Sequence, residues 1–116
     1  MPKNQLNFEE LFNIIEKKIN SPEGNSYISK LSQNGVESIA QKVGEEAVEV
    51  VIASLLLNKS SIDNNILNSQ SSSKLRQDLI NEICDLYFHT MILMAKNQVS
   101  FADIFQEFYQ RNQLKK

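Results

Sequence analysis

Apolar positions recur three and four residues apart along most of the chain, and long alternating runs of β-branched residues do not occur, so the pattern predicts helices. Phe8, Leu11, Phe12, Ile15 and Ile19 mark a first helix from about Phe8 to Ile19, with Asn7 as its cap and Glu10 in the capping-box position. The run from Asn20 to Asn25 ends it, and a short segment from Tyr27 to Gln33 follows, with Gly35 suited to the left-handed residue that closes a helix. Two longer segments, about Val36 to Leu57 and about Lys74 to Asn97, can each run through a domain at about 1.5 Å per residue and are expected to form an antiparallel centre. Between them, Asn58 to Ser73 is dominated by Asn and Ser, whose side chains compete for backbone hydrogen bonds, and reads as a mobile loop. Ser100, with Asp103 three residues on, caps a last helix whose apolar face is Phe101, Ile104, Phe105 and Phe108, while Gln113 to Lys116 should fray. The predicted fold class is all-α: a compact bundle of about five helices with two long central antiparallel ones.

Composition narrows this little but excludes several functions. A chain of 116 residues has the usual size of one domain, taken here as residues 1–116. The net charge of −2 leaves no basic stripe, so nucleic acid is not an expected partner. Neither a signal-like N-terminus nor a run of about 18 apolar residues occurs, which points away from export and from a membrane. Cys84 is the single cysteine, so a disulfide framework and a Cys-rich zinc site are excluded and a reducing cytoplasm fits.

Candidate chemistry lies on the two long segments. On the first, Ile39, Val43, Val50, Ala53 and Leu57 form one stripe, and Glu46 falls within about 20° of its centre, flanked by Glu49 and Lys42. On the second, Leu75, Leu86 and Leu93 define a stripe that contains Glu82, with Asp78, Asp85 and His89 beside it. Inward carboxylates without partners cost several kcal/mol to desolvate, and like charges three or four residues apart further destabilise a helix, so a cation is expected among them. Hard oxygen ligands suit Mg²⁺, or Mn²⁺ in its place. The plainer alternative is that Glu45 and Glu49 are solvated and Lys42 pairs with Glu45 or Glu46 along the helix.

Gln41-Lys42-Val43-Gly44-Glu45-Glu46-Ala47-Val48-Glu49, followed by Asn81-Glu82-Ile83-Cys84-Asp85-Leu86, resembles the phosphoribosyl-ATP pyrophosphohydrolases of histidine biosynthesis. More broadly it is similar to the all-α, MazG-like nucleotide pyrophosphatases. Ser26-Tyr27, Lys30-Leu31, the turn at Gly35 and Tyr87-Phe88-His89 extend the likeness over nearly the whole chain. The resemblance implies hydrolysis of a small nucleotide, phosphoribosyl-ATP, to phosphoribosyl-AMP and pyrophosphate. It also implies Glu46, Glu49, Glu82 and Asp85 as Mg²⁺ ligands, and Glu45 as the group that orients or deprotonates the attacking water or binds a second metal. Lys30 and Lys42 are candidates for the phosphate oxygens, and His89 is either a satisfied core histidine or a hydrogen-bond partner of a ligand carboxylate. Glu37 and Ser38 depart from the family's frequent basic residues, the 58–73 loop is longer than usual, and residues for a companion cyclohydrolase domain are lacking, so a stand-alone enzyme is expected.

Cys84 points away from the acidic face and reads as a small buried hydrophobe. The back of the first long segment is apolar as well, at Val48, Val51, Ile52 and Leu55, and together with the family resemblance this predicts a homodimer. Two other functions fit the acidic pattern less closely: cleavage of ordinary nucleoside triphosphates, and a helical interaction module without catalysis. A di-iron bundle would need two histidines, and His89 is the single one.

Overall fold

Each helix begins and ends where its local chemistry allows. In the computed structural model, which describes residues 6–21, 24–62 and 69–114, the elements are α1 (Phe8–Ile19), α2 (Tyr27–Gln33), α3 (Val36–Ile62), α4 (Ser69–Lys96) and α5 (Phe101–Leu114), with no strand among the described residues. The first amide groups of a helix have no partner within it, and side chains supply one. Asn7 Oδ1 accepts from the Glu10 amide at 2.8 Å, and Ser26 Oγ from the Ser29 amide at 3.1 Å. At α5 the pairing is reciprocal, with the Ser100 amide donating to Asp103 Oδ2 at 2.9 Å and the Asp103 amide to Ser100 Oγ at 3.1 Å. Gly35, at φ 99°, turns the chain from α2 into α3 in the left-handed region that glycine occupies without strain. Gln98 does the same after α4 at φ 60°, and the Val99 amide reaches back to the Met94 carbonyl at 2.8 Å.

Packing divides the chain into two compact units. The first comprises the chain up to Ile39 together with Met91 onward. It holds nearly all of the apolar core: Phe12, Ile15, Ile28, Leu31, Ile39, Met91 and Ile92 are buried, with Ile15, Ile39 and Ile92 fully so. Polar groups inside it are satisfied, since Ser29 Oγ donates to the Lys18 carbonyl at 2.8 Å and Lys96 Nζ to Ser32 Oγ at 3.1 Å. Gly24 lies so close to Ser29 that a Cβ there would run into the serine side chain.

The second unit, Ala40–Thr90, contains the middle of α3 and most of α4. Glu46 and Glu49 converge on Glu82, while Ser60 Oγ lies 3.4 Å from Ser72 Oγ, so residue numbers run in opposite directions and the two helices are antiparallel, as the pattern predicts. Among its described residues the buried apolar side chain is Ala53 alone, and the other buried groups are Glu46, Ser60 and His89. Its most deeply buried described groups are therefore mostly polar, with Val43, Val50, Leu79 and Leu86 half-buried around them.

Three expectations need correction. Asn58–Ile62 and Ser69–Ser73 are helical, so the expected loop is cut from both sides, and 63–68 lie outside the described residues. Helix continues there where α3 and α4 run antiparallel, with Ser60 Oγ 3.4 Å from Ser72 Oγ, so tertiary pairing overrides the local preference of Asn and Ser, and the Ser61 hydroxyl is satisfied by the Leu57 carbonyl at 3.2 Å. Gln113 and Leu114 continue α5, and 115–116 lie outside the described residues. Cys84 is exposed rather than buried, because no apolar layer of the described residues covers that side of α4.

Candidate active site

Glu46 and Glu49 sit one turn apart on α3, which places both on one face, and antiparallel α4 brings Glu82 opposite them. One carboxylate oxygen from each of the three lies within 4.8 Å of the others. An ion about 2.1 Å from each ligand needs opposite ligand atoms about 4.2 Å apart, so the cluster is close to the size of a Mg²⁺ site. Glu46 is 7% exposed, and Oε2 of Glu46 and of Glu82 are both shielded from solvent with no hydrogen-bond donor supplied by an amide, hydroxyl or ammonium group. A proton shared with Glu49 is the hydrogen bond open to them.

The electrostatic consequence is a set of carboxylates that resist ionising together. Burial, followed by the charge and hydrogen bond of Glu49 and the charge of Asp85, pushes the Glu46 carboxyl above the usual range, against a smaller lowering by His89. The hydrogen bond with Glu49, then burial and the charges of Glu49, Asp85 and Glu46, push Glu82 up to about 7. Buried acceptors without donors and carboxyls crowded at one point are what a bound divalent cation would satisfy, so the residues present fit such an ion.

The remaining candidates are distributed around this core. Asp85 is exposed, and its carboxylate lies outside the set of three converging atoms although its charge acts on both Glu46 and Glu82. His89 is buried, and its Nδ1 lies 2.8 Å from the Asp85 backbone carbonyl. A carbonyl can only accept, so Nδ1 carries a proton, and the contact is to the main chain of Asp85 rather than to its carboxylate. Glu45 is exposed and occupied along its own helix, accepting from Gln41 Nε2 at 3.1 Å and lying 3.7 Å from Lys42 Nζ. The plainer reading of the sequence thus describes the Lys42–Glu45 pair. Lys30 is exposed on α2, in the first unit.

A cavity of about 240 Å³ opens beside the cluster, lined by Glu49 and Glu82 and by Ile52, Ala53, Leu56, Leu75, Asp78 and Asn81. Besides Glu49 and Glu82, Asp78 and Asn81 carry polar groups of this wall; the spacing places Asp78 on the Glu82 face but assigns neither it nor Asn81 a role.

The phosphoribosyl-ATP pyrophosphohydrolase family model matches residues 8–112. The chain belongs to that family. Among family relatives, a phosphoribosyl-ATP pyrophosphatase of Clostridium acetobutylicum is 37% identical over 97% of this chain and 86% of its own length. One of Zymomonas mobilis is 40% identical over 84% of this chain and 75% of its own. The histidine biosynthesis bifunctional protein HisIE of Blochmanniella floridana is 38% identical over 92% of this chain but 45% of its own length. The family match spans both α3 and α4, and so includes every residue of the carboxylate cluster.

Proposed function

We propose that this chain hydrolyses phosphoribosyl-ATP to phosphoribosyl-AMP and pyrophosphate, the second step of L-histidine biosynthesis, at the Glu46, Glu49 and Glu82 cluster. The carrying observation is the convergence of three carboxylates, two of them with buried oxygens that lack donors, in a member of the phosphoribosyl-ATP pyrophosphohydrolase family. Glu46, Glu49, Glu82 and Asp85 would hold Mg²⁺, with Mn²⁺ as a substitute. Such an ion, when bound, neutralises phosphate charge and lowers the pKa of water at the anhydride.

The chain's own groups supply the rest. Glu45 orients or deprotonates the water that attacks the α,β phosphoanhydride. Its pairs with Gln41 and Lys42 are solvent-exposed and therefore weak, so either can be exchanged for substrate. Lys42, released from Glu45, binds phosphate oxygens as a compact positive charge, and Lys30 is assigned the same role. His89 holds the α4 backbone at Asp85 through its Nδ1 hydrogen bond. Water is the nucleophile, so no covalent intermediate forms.

Residues 1–116 are read as one catalytic domain working in the cytoplasm, a reducing compartment that suits the single Cys84. No described helix is long and apolar enough to cross a membrane. The working unit is a homodimer: Val48, Val51, Ile52 and Leu55 are all more than half exposed on α3, in a unit whose buried apolar side chain among the described residues is Ala53. Pyrophosphate release from phosphoribosyl-ATP and from ordinary nucleoside triphosphates, each with Mg²⁺ and with EDTA, tests the reading. Mg²⁺-dependent turnover that favours phosphoribosyl-ATP is expected, and a preference for ordinary triphosphates would reassign the substrate.

A further inference from the structure

The cavity beside the carboxylates has a composition that the hydrolytic reaction alone does not require. Glu49 and Glu82 form one side of it, so a nucleotide whose phosphates are held at the cluster can place its base, one ribose away, in this space. At about 240 Å³ it is smaller than the roughly 300 to 1,000 Å³ that encloses a whole drug-sized ligand, and it has room for one ring system. Ile52, shared with the apolar face assigned to the dimer, joins Ala53, Leu56 and Leu75 in giving that ring apolar walls. Asp78 adds a carboxylate whose ion pair is with Lys74, at 3.3 Å and with the lysine side chain 77% exposed, so the pair is weak and leaves the acid available to a ligand.

Three carboxylates line this slot, and with Glu49 and Glu82 engaged by the cation of the cluster, Asp78 is the one left to favour a cationic adenine over a neutral one, because the charge pair gains strength as the ring excludes water. Substitution at N1 makes this difference in adenine. Once N1 carries a substituent, the six-membered ring and its exocyclic nitrogen form an amidine, which takes up a proton near neutral pH and spreads the positive charge over both nitrogens. Phosphoribosyl-ATP carries its second ribosyl group at N1, and ATP does not. We infer that Asp78 is a specificity-determining residue that recognises the positively charged, N1-substituted purine in this cavity and thereby separates the substrate from ordinary ATP. This rests on the reading of the cluster as the phosphate-holding centre.

Equilibrium binding by calorimetry at neutral pH and in excess Mg²⁺, which engages Glu49 and Glu82, tests the inference without depending on turnover, using AMP and N1-methyl-AMP, which differ in ring charge and one methyl group. Wild type should bind N1-methyl-AMP about tenfold more tightly, the size of one charge-assisted hydrogen bond, and Asp78→Asn should bring the two within about twofold. Lys74→Gln, which removes the competing cation at an exposed position, should widen the wild-type preference, and this variant decides the matter if Asp78→Asn does not fold. Equal binding of the two nucleotides by wild type, a preference that persists in Asp78→Asn, or a preference unchanged or reduced in Lys74→Gln would overturn the proposal. An unaltered Mg²⁺-induced rise in melting temperature in Asp78→Asn is expected as well, and its loss would make Asp78 part of the metal cluster instead. Failure of pyrophosphate release with the binding preference intact would count against the reaction and not against Asp78.

Discussion

Replacing Glu46 by Gln separates a metal site from an ordinary ion pair, because the two predict opposite changes in stability. The Glu46 and Glu49 oxygens lie within 4.8 Å, and two unit charges at that distance repel by about 0.9 kcal/mol in water and about 3.5 kcal/mol at an effective dielectric of 20. Glu49 is exposed, so the lower figure applies, and part of the repulsion is already relieved by protonation of the cluster. Relief on the order of 0.5 to 1 kcal/mol remains. For 116 residues, unfolding entropy converts 1 kcal/mol into about 4 °C, so Glu46→Gln should melt about 2 to 4 °C above wild type in EDTA. Loss of one partner of a buried ion pair would instead cost about 3 to 5 kcal/mol, a fall of about 12 to 20 °C. Mg²⁺ at about a hundred times its Kd should raise wild type by about 2.7 kcal/mol, or about 11 °C, and the variant should lose most of that gain. Melting both proteins by circular dichroism at one protein concentration, in EDTA and in excess Mg²⁺, reads all four values. A variant that falls by more than about 10 °C in EDTA while keeping the full Mg²⁺ response would refute the reasoning.

Three further outcomes follow from the same structure. Glu82 titrates near 7 in the folded protein against an ordinary value of 4.5, so its contribution to metal-free stability is fully present below 4.5 and is lost as pH rises through 7. The melting temperature in EDTA should therefore fall across that window, less steeply in Glu82→Gln, while the Mg²⁺-induced gain grows because protons and metal compete for the same oxygens; a gain independent of pH would contradict this. Gln98 holds a left-handed backbone at φ 60°, so Gln98→Gly should stabilise the chain by about 0.5 to 1 kcal/mol in urea denaturation, and a loss would mean that the glutamine side chain is itself bound. Val51→Glu, on the exposed apolar face of α3, should shift sedimentation equilibrium at micromolar concentration from dimer to monomer, and a wild-type monomer would remove the dimer from the account.

Much of this architecture is legible in residue spacing, for reasons that differ between elements. The bounds of α1 and α2 follow from Asn7, Ser26 and Gly35, whose cap chemistry acts within a few residues and needs no tertiary partner. The ends of α3 and α4 do not, because Asn and Ser disfavour helix locally, and the Ser60–Ser72 approach that accompanies the extended helices depends on antiparallel pairing. Period alone places Glu46 and Glu82 on inward faces, and the structure has Glu46 buried and the two carboxylates converging with Glu49. What period cannot supply is register across helices. Asp78 lies on the Glu82 face like Asp85, yet Asp78 lines the cavity while Asp85 lies outside the set of converging atoms. Exposure of Cys84 is illegible for a related cause, since pointing away from the acidic face does not say whether an apolar neighbour covers that side of α4.

The central claim is that Glu49, shared by both carboxylate contacts of the cluster, belongs to a centre that cleaves phosphoribosyl-ATP. Coupled detection of pyrophosphate, with chromatographic identification of phosphoribosyl-AMP, measures this directly for wild type and Glu49→Gln at saturating Mg²⁺. The account predicts one pyrophosphate per phosphoribosyl-AMP from wild type, no turnover in EDTA, and a rate at least about a hundredfold lower in the variant, the usual scale for loss of a preorganised electrostatic group. Turnover that persists in EDTA, or a Glu49→Gln variant as fast as wild type, would contradict it.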